Sequence, residues 1–334
     1  MPRATLAAIL AAVAAIGCAL PANAAVTKKT YMRLGSATDA VATATAGTVL
    51  MGGSTDVDAA FQWLCDRAPG GDFLVVRATG TDAYNPYVQD LCPGLNSVAT
   101  LIIGSKKVAM DPAARDIIDD AEIVWIAGGD QSNYINDWTG TPVQDALNDH
   151  VASGRPIGGT SAGLAVLTQF VYSALGSKGI TSAQALADPW NRYNTFARDF
   201  LYLPHLQGAI SDTHFAARDR MGRTLGFLCR IHAAGWTNSK PRAIAVSEET
   251  AVLVDEKGLG EVVGNNHAYF ITAPGAPEVC SPDLPLTYRN VSVRRVGVGQ
   301  KFDVGAWRGT AGVTYSVTAE AGVLSSTQPG GSAY

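Results

Sequence analysis

"RPIGGTSAGLAVL", residues 155–167, sets a single serine between glycines at the end of an apolar run. Two explanations stand for it. Ser161 is a nucleophile presented on a sharp turn, or the segment is a small-residue turn where two backbones pass close together. Its flanks bear on the choice: "GRPIG" supplies a short strand and "AGLAVLTQF" a helix. Gly159–Gly163 therefore stands where a G-x-S-x-G elbow requires it, with free amides and the positive end of a helix dipole beside the hydroxyl. A serine hydroxyl is a weak nucleophile unaided, so the first explanation also needs a base and an oxyanion hole.

Working outward, short apolar runs alternate with segments of helical period. "GTVLMGG", "GDFLVVRATG", "SVATLIIGS" and "EIVWIAGGDQ" read as buried strands ending in small or polar residues. Between them "DVDAAFQWLCDRA", "MDPAARDIIDDA" and "TPVQDALNDHVASG" read as helices, the second opened by Asp-Pro and the third closed by Gly154. Repeated strand–turn–helix units with right-handed crossovers wind into an α/β fold, a mostly parallel sheet flanked by helices. Ligands of such sheets gather at the carboxyl ends of the strands, where Gly, Asp, Gln and Ser concentrate here. After Tyr269 the pattern changes to Val- and Thr-rich alternation, as in "NVSVRRVGVG" and "VTYSVTA". The expected division is a leader over residues 1–24, a catalytic domain over 25–280, and a β-rich C-terminal appendage with a loose tail over 281–334.

The 334 residues are 47% hydrophobic and 16% charged, with a net charge of −4 and no basic run, which excludes a disordered chain and a nucleic-acid binder. "MPRATLAAILAAVAAIGCALPANA" has the layout of a secretory signal peptide, cut after Ala24, and implies a secreted or periplasmic protein with no membrane attachment after cleavage. Competing explanations are an uncleaved anchor and a lipoprotein modified at Cys18. The other four cysteines allow three pairings, of which the local one, Cys65 with Cys92 and Cys229 with Cys280, is expected. Buried thiols are the alternative. No C-x-x-C or H-E-x-x-H spacing occurs, so neither a metal nor another cofactor is expected.

Of the five histidines, His214 in "AISDTHFAARDRMGRTLGFL" falls at a strand-to-helix junction among polar groups, and His267 in "GNNHAYF" is its rival as base. Gly128–Gly129 in "IAGGDQ" end a strand and offer backbone amides for an oxyanion hole, or form an ordinary glycine turn.

"AGGDQ", "GGTSAG", "DTHFAARDRMGR" and "VSEETA", in that order, resemble the cyanophycinase branch of the S51 serine peptidases, relatives of aspartyl dipeptidase E. The resemblance covers residues 47 to 270 and implies a class I glutamine amidotransferase-like fold. It implies Ser161 as nucleophile, His214 as base and Glu248 as the orienting carboxylate, with Gly128, Gly129 and the amide of Ala162 as the oxyanion hole. Thr213 stands where the cyanophycinase pattern carries glutamine. Glu249 follows Glu248 directly, and alternation along "AIAVSEETAVLV" sends the two glutamates to opposite faces, so only one can reach His214.

The resemblance implies a secreted exopeptidase that hydrolyses cyanophycin, an aspartate polymer bearing arginine on its β-carboxyls, to β-aspartyl-arginine dipeptides. Arg218, Arg220 and Arg223 are then candidates for substrate carboxylates, and Asp130, Gln131 and Asp212 for its guanidinium groups. The bland alternative for the arginines is a solvated helix face making surface ion pairs. The partners expected are a polymeric or dipeptide aspartyl substrate and, at most, a second copy of the chain. The alternatives are a peptidase of other aspartyl peptides and an esterase in the α/β-hydrolase chain order, using Ser161, an acid among Glu248, Glu249 and Asp255, and His267. A secreted binding protein that retains the pocket is the non-enzymatic alternative.

Overall fold

The computed structural model describes residues 26–27 and 30–334, so the leader expected over residues 1–24 lies outside the described residues. The described strands, in chain order, are β1 (Tyr31–Gly35), β2 (Gly47–Met51), β3 (Asp72–Arg77), β4 (Ser97–Ile102), β5 (Ile123–Ile126), β6 (Ile157–Thr160), β7 (Phe170–Tyr172), β8 (Phe196–Arg198), β9 (Ala209–Asp212), β10 (Arg242–Val246), β11 (Thr250–Asp255), β12 (Leu259–Gly264), β13 (Ala268–Thr272), β14 (Tyr288–Val296), β15 (Lys301–Asp303), β16 (Val313–Glu320) and β17 (Val323–Ser326). They form two sheets.

The first sheet runs β1-β4-β3-β5-β6-β2-β11-β12-β15. Its centre, β4 to β2, is parallel, and antiparallel strands close both flanks. The period of two along each strand explains the unbroken apolar runs, because both faces are covered. Val49, Met51, Phe73, Val75, Ile123 and Trp125 share one core cluster with residues of helices Asp58–Cys65 and Tyr84–Leu91. Leu50, Leu74, Val76, Val124 and Ile126 share another with residues of helices Pro112–Asp119, Gln131–Trp138 and Pro142–Ala152.

The second sheet, β17-β16-β14-β13-β10-β9-β7-β8, is mostly antiparallel. One face, with Ile244, Val246 and Phe270, joins the core of the first sheet. The other packs Ala243, Ala245 and Ile271 with residues of helix Met221–Ala233.

Three local expectations are revised. The helix expected over "AGLAVLTQF" stops after Ala162–Ala165. The Thr168 hydroxyl there donates to the Phe170 carbonyl of β7 and accepts the Ser211 amide of β9, and these bonds to two strands outcompete further helix. The strands beyond residue 281 are woven into both sheets, β14 pairing with β13 and β15 with β12. The tail is not loose. Residues 323–326 pair with β16, and the Tyr334 ring packs edge-on against Phe215 and Tyr269, so apolar burial anchors the segment.

Both expected disulfides are present, Cys65–Cys92 and Cys229–Cys280, with sequence separations of 27 and 51. By loop closure each is worth about 3–4 kcal/mol. Among the described residues no helix is long and apolar enough to cross a membrane.

The backbone crossing at the elbow has a direct test. A Cβ on Gly163 would collide with the Ile126 carbonyl, which belongs to a central strand and cannot retreat. Gly163→Ala is expected to destabilise the protein by at least about 2 kcal/mol in urea unfolding. Gly94→Ala, whose Cβ would meet open space, serves as control and should change stability by less than about 0.5 kcal/mol.

Candidate active site

Ser161 joins β6 to the short helix at φ 52°, ψ −112°, a conformation sparsely populated for a residue with a side chain. Such strain costs about 1–3 kcal/mol and persists only where the surroundings impose it. Here they do. A Cβ on Gly159 would lie 2.7 Å from the Gly163 carbonyl carbon, and Gly163 is pressed on Ile126. The turn is therefore both things the sequence allowed: two backbones pass at glycine-only distance, and that crossing turns the serine out at the carboxyl edge of the parallel sheet.

The end of β2 supplies a scaffold that "GTVLMGG" did not announce. Three successive carbonyls accept the amides of three site residues: Met51 from Ser161 (3.1 Å), Gly52 from His214 (2.8 Å) and Gly53 from Glu249 (2.9 Å). Side chains at 52 and 53 would prevent it. A Cβ on Gly52 would meet the Ser247 carbonyl, and one on Gly53, at φ 106°, would meet the His214 ring.

His214 follows β9 in a left-handed conformation, φ 45°, which aims its ring back at the elbow. Its Nδ1 lies 2.6 Å from Glu248 Oε1 and its Nε2 lies 2.8 Å from Ser161 Oγ. An ionised carboxylate can only accept, so Nδ1–H donates to Glu248 and Nε2 is left to accept the serine hydroxyl. Glu249, also left-handed at φ 53°, turns away and accepts from Asn265. His267, the rival base, is exposed, and its ring lies near Tyr269 and Gly297. Asp255 sits at the far end of β11, opposite Gly47, where it accepts the Lys257 and Leu259 amides. The esterase arrangement through His267 is therefore not assembled.

Burial pushes the His214 imidazole below its ordinary value of 6.5; the bond to Glu248 opposes that shift, and the charges of Arg218 and Arg220 reinforce it. The ring is thus neutral, and able to accept a proton, through neutral pH. Gly128 abuts the elbow, since a Cβ there would come 3.5 Å from Ser161 Cβ. Among the described residues, the amides of Gly128, Gly129 and Ala162 donate to no backbone carbonyl. They remain available beside the hydroxyl.

A cleft of about 330 Å³ opens next to Ser161 and His214, lined also by Gly129, Asp130, Gln131, Arg218, Arg220 and Arg223. Lys178, from the loop Gly176–Gly179, lines it too. Nothing in "GSKG" distinguished that lysine from any surface loop, and only the folded chain brings it to the cleft. Arg218 is half-exposed, with Nε 3.5 Å from Glu248. Burial pushes the Arg220 guanidinium down to about 10, and it donates to the carbonyl and hydroxyl of Thr213.

One assignment must be corrected. Asp212 is 2% exposed, and its carboxylate accepts Arg223 through both oxygens, together with the Thr224 hydroxyl and the Thr213 amide. Burial opposes its ionisation, but Arg223, Arg220 and Thr224 outweigh burial and hold the carboxyl below its ordinary value. Asp212 is saturated from within and holds the arginines, so it has no capacity left for a substrate guanidinium. Asp130 caps helix Gln131–Trp138 by accepting the Ser132 amide, and Gln131 donates to the Tyr172 carbonyl, which leaves both at the cleft rim.

This architecture is the class I glutamine amidotransferase-like α/β fold, carrying a serine, histidine and glutamate in hydrogen-bonded series. The model for peptidase family S51 matches residues 48–262, and the chain belongs to that family. It is 25% identical over 214 residues to the cyanophycinase of Trichormus variabilis, an alignment covering 63% of this chain and 66% of that one. It is 24% identical over 227 residues to the cyanophycinase of Geminocystis herdmanii, covering 66% and 76%. The chain thus spans about two thirds to three quarters of the length of these relatives. Among solved structures, a peptidase from an acI-B1 Actinobacterium superposes with a TM-score of 0.52 at 14% identity, covering 78% of this chain and 98% of that one. It has the same fold.

Two outcomes test the geometry. Gly53→Ala should leave a folded protein, judged by circular dichroism, whose His214 ring is displaced; serine reactivity toward a fluorophosphonate should fall by about 10²-fold. In an NMR titration His214 should have its midpoint below 6.5. Arg218→Gln removes a cation that disfavours imidazolium and should raise that midpoint, while Glu248→Gln removes the stabilising anion and should lower it.

Proposed function

We propose that this chain is a secreted serine exopeptidase of the cyanophycinase type, releasing β-aspartyl-arginine dipeptides from multi-L-arginyl-poly-L-aspartate. The observation that carries the proposal is the unbroken series Ser161–His214–Glu248, set beside a cleft lined by four cations. Family membership and the likeness to two cyanophycinases support it.

His214 Nε2 takes the Ser161 proton as Oγ attacks the backbone carbonyl carbon of the substrate. The amides of Gly128, Gly129 and Ala162 receive the oxyanion. The imidazolium, steadied by Glu248, then protonates the leaving amine as the C–N bond breaks, forming an acyl-enzyme. Water next gives a proton to His214 and its oxygen to the acyl carbon, and the proton returns to Ser161 Oγ as the acid leaves. Arg218, Arg220 and Lys178 bind carboxylates of the aspartyl-arginine unit, Arg223 braces Arg220 through Asp212, and Asp130 and Gln131 receive the guanidinium.

A peptidase of shorter aspartyl peptides is the neighbouring alternative, and the small volume of the cleft, about 330 Å³, favours a dipeptide-sized guest in either case. Export through the leader at residues 1–24 agrees with two disulfides, which persist in an oxidising compartment.

The test is incubation with cyanophycin and with a panel of β- and α-aspartyl dipeptides, followed by product masses. Dipeptide release from the polymer is expected, and Ser161→Ala should lower the rate by at least about 10⁴-fold. Release only from free dipeptides would replace the polymer reading by the neighbouring one. Inertness toward both substrates, or full activity in Ser161→Ala, would overturn the proposal.

A further inference from the structure

The segment that carries the base also carries Arg218 and Arg220, and it crosses from β9 to helix Met221–Ala233 without regular structure. Two of its residues, His214 and Asp219, are left-handed, at φ 45° and 46°. Arg220 is the N-cap of the following helix, and its side chain makes no capping bond, so the first amides of that helix need acceptors from elsewhere. They come from distant parts of the chain. The Tyr334 hydroxyl accepts the Met221 amide at 2.8 Å, and the Ser182 hydroxyl accepts the Arg223 amide at 3.1 Å. Each hydroxyl makes a second bond to Asp219, Tyr334 donating to Oδ1 at 2.9 Å and Ser182 donating to the carbonyl.

We propose that Tyr334 is a positioning residue of the active site, holding the His214–Arg220 segment so that its arginines face the cleft. The hydroxyl joins the end of the arginine-bearing turn to the start of the helix behind it, while the ring packs edge-on against Phe215, the neighbour of the base, at 5.4 Å. Burial, with Asp219 alongside, pushes the phenol above its ordinary value, so the hydroxyl stays protonated and keeps both bonds. Asp219 itself is exposed and lies between two arginines in sequence. Released from Tyr334, the turn between those arginines is no longer tied to the helix behind it, and Arg218 and Arg220 are free to swing away from substrate and from Glu248. Assignment of those cations to substrate carboxylates rests on the proposed function; the mechanical role does not.

The experiment compares Tyr334→Phe, which keeps the ring, with Asp219→Asn, which keeps an acceptor for the hydroxyl. For Tyr334→Phe, KM for the aspartyl substrate should rise about three- to tenfold, the scale of one hydrogen bond, with kcat within about twofold. The NMR midpoint of His214 should move up as Arg218 leaves the neighbourhood of Glu248. Asp219→Asn should stay near wild type in both measures. Asp219→Ala removes the same bond from the exposed side and should reproduce Tyr334→Phe, which keeps the test decisive if Tyr334→Phe fails to fold. Unchanged KM and unchanged His214 midpoint in either bond-deleting variant would overturn the proposal, as would equal losses in Asp219→Asn. If the wild type cleaves no aspartyl substrate, the functional reading falls, and the His214 midpoint alone decides the role of Tyr334.

Discussion

Three consecutive carbonyls at the end of β2 hold the site together. Met51, Gly52 and Gly53 take the amides of Ser161, His214 and Glu249, residues separated by up to 88 positions in sequence. Backbone-to-backbone bonds of this kind place main chain, and side-chain geometry follows from it. Each of the three amides belongs to a residue with positive φ, at 52°, 45° and 53°. An isolated chain would abandon those conformations; here each is held by a bond to the last residue of β2 or to the two glycines that follow it, and β2 is itself paired on both sides, to β6 and β11. The strain at the elbow is thus distributed over the rigid middle of the first sheet, as precise catalytic positioning requires.

The second organising element is electrostatic. The cleft gathers Lys178, Arg218, Arg220 and Arg223, and a cluster of like charges repels itself. Asp212 offsets that repulsion from beneath, accepting Arg223 in two bonds and lying 3.6 Å from Arg220. The arrangement leaves Arg218 and Lys178 in the more exposed positions, where a ligand anion can reach them. It also bears on the base, because arginines near His214 disfavour its protonated form while Glu248 favours it. Burial is the main reason that the imidazole stays neutral to lower pH, and these cations reinforce it.

The C-terminal strands complete this frame. β14 and β16 extend the second sheet beyond β13, β15 caps the edge of the first, and Cys280 ties the connection to helix Met221–Ala233 through Cys229. Tyr334 then returns to the base-bearing segment. Residues distant in sequence from every motif are in this way part of the support behind the cleft.

Sequence by itself determined the α/β class, the central strands, the elbow at Ser161 and the segments holding His214 and Glu248, because local patterns carry them. Apolar period reports burial, and glycines around a serine report a turn that only glycine permits. The choice of Glu248 over Glu249 and of His214 over His267 was legible from the sequence only through family resemblance; in the fold it follows from left-handed turns that set one side chain toward the ring and its neighbour toward Asn265. Tertiary structure alone decided that Asp212 is spent on arginines, that Lys178 enters the cleft, that Gly52 and Gly53 are scaffold and that the final residues are anchored. The last three depend on contacts between segments far apart in the chain, and the first on how a strand and the start of the next helix fold back on each other. A residue's neighbours in sequence do not reveal which carboxylate is already satisfied, or which glycine lies under a histidine ring.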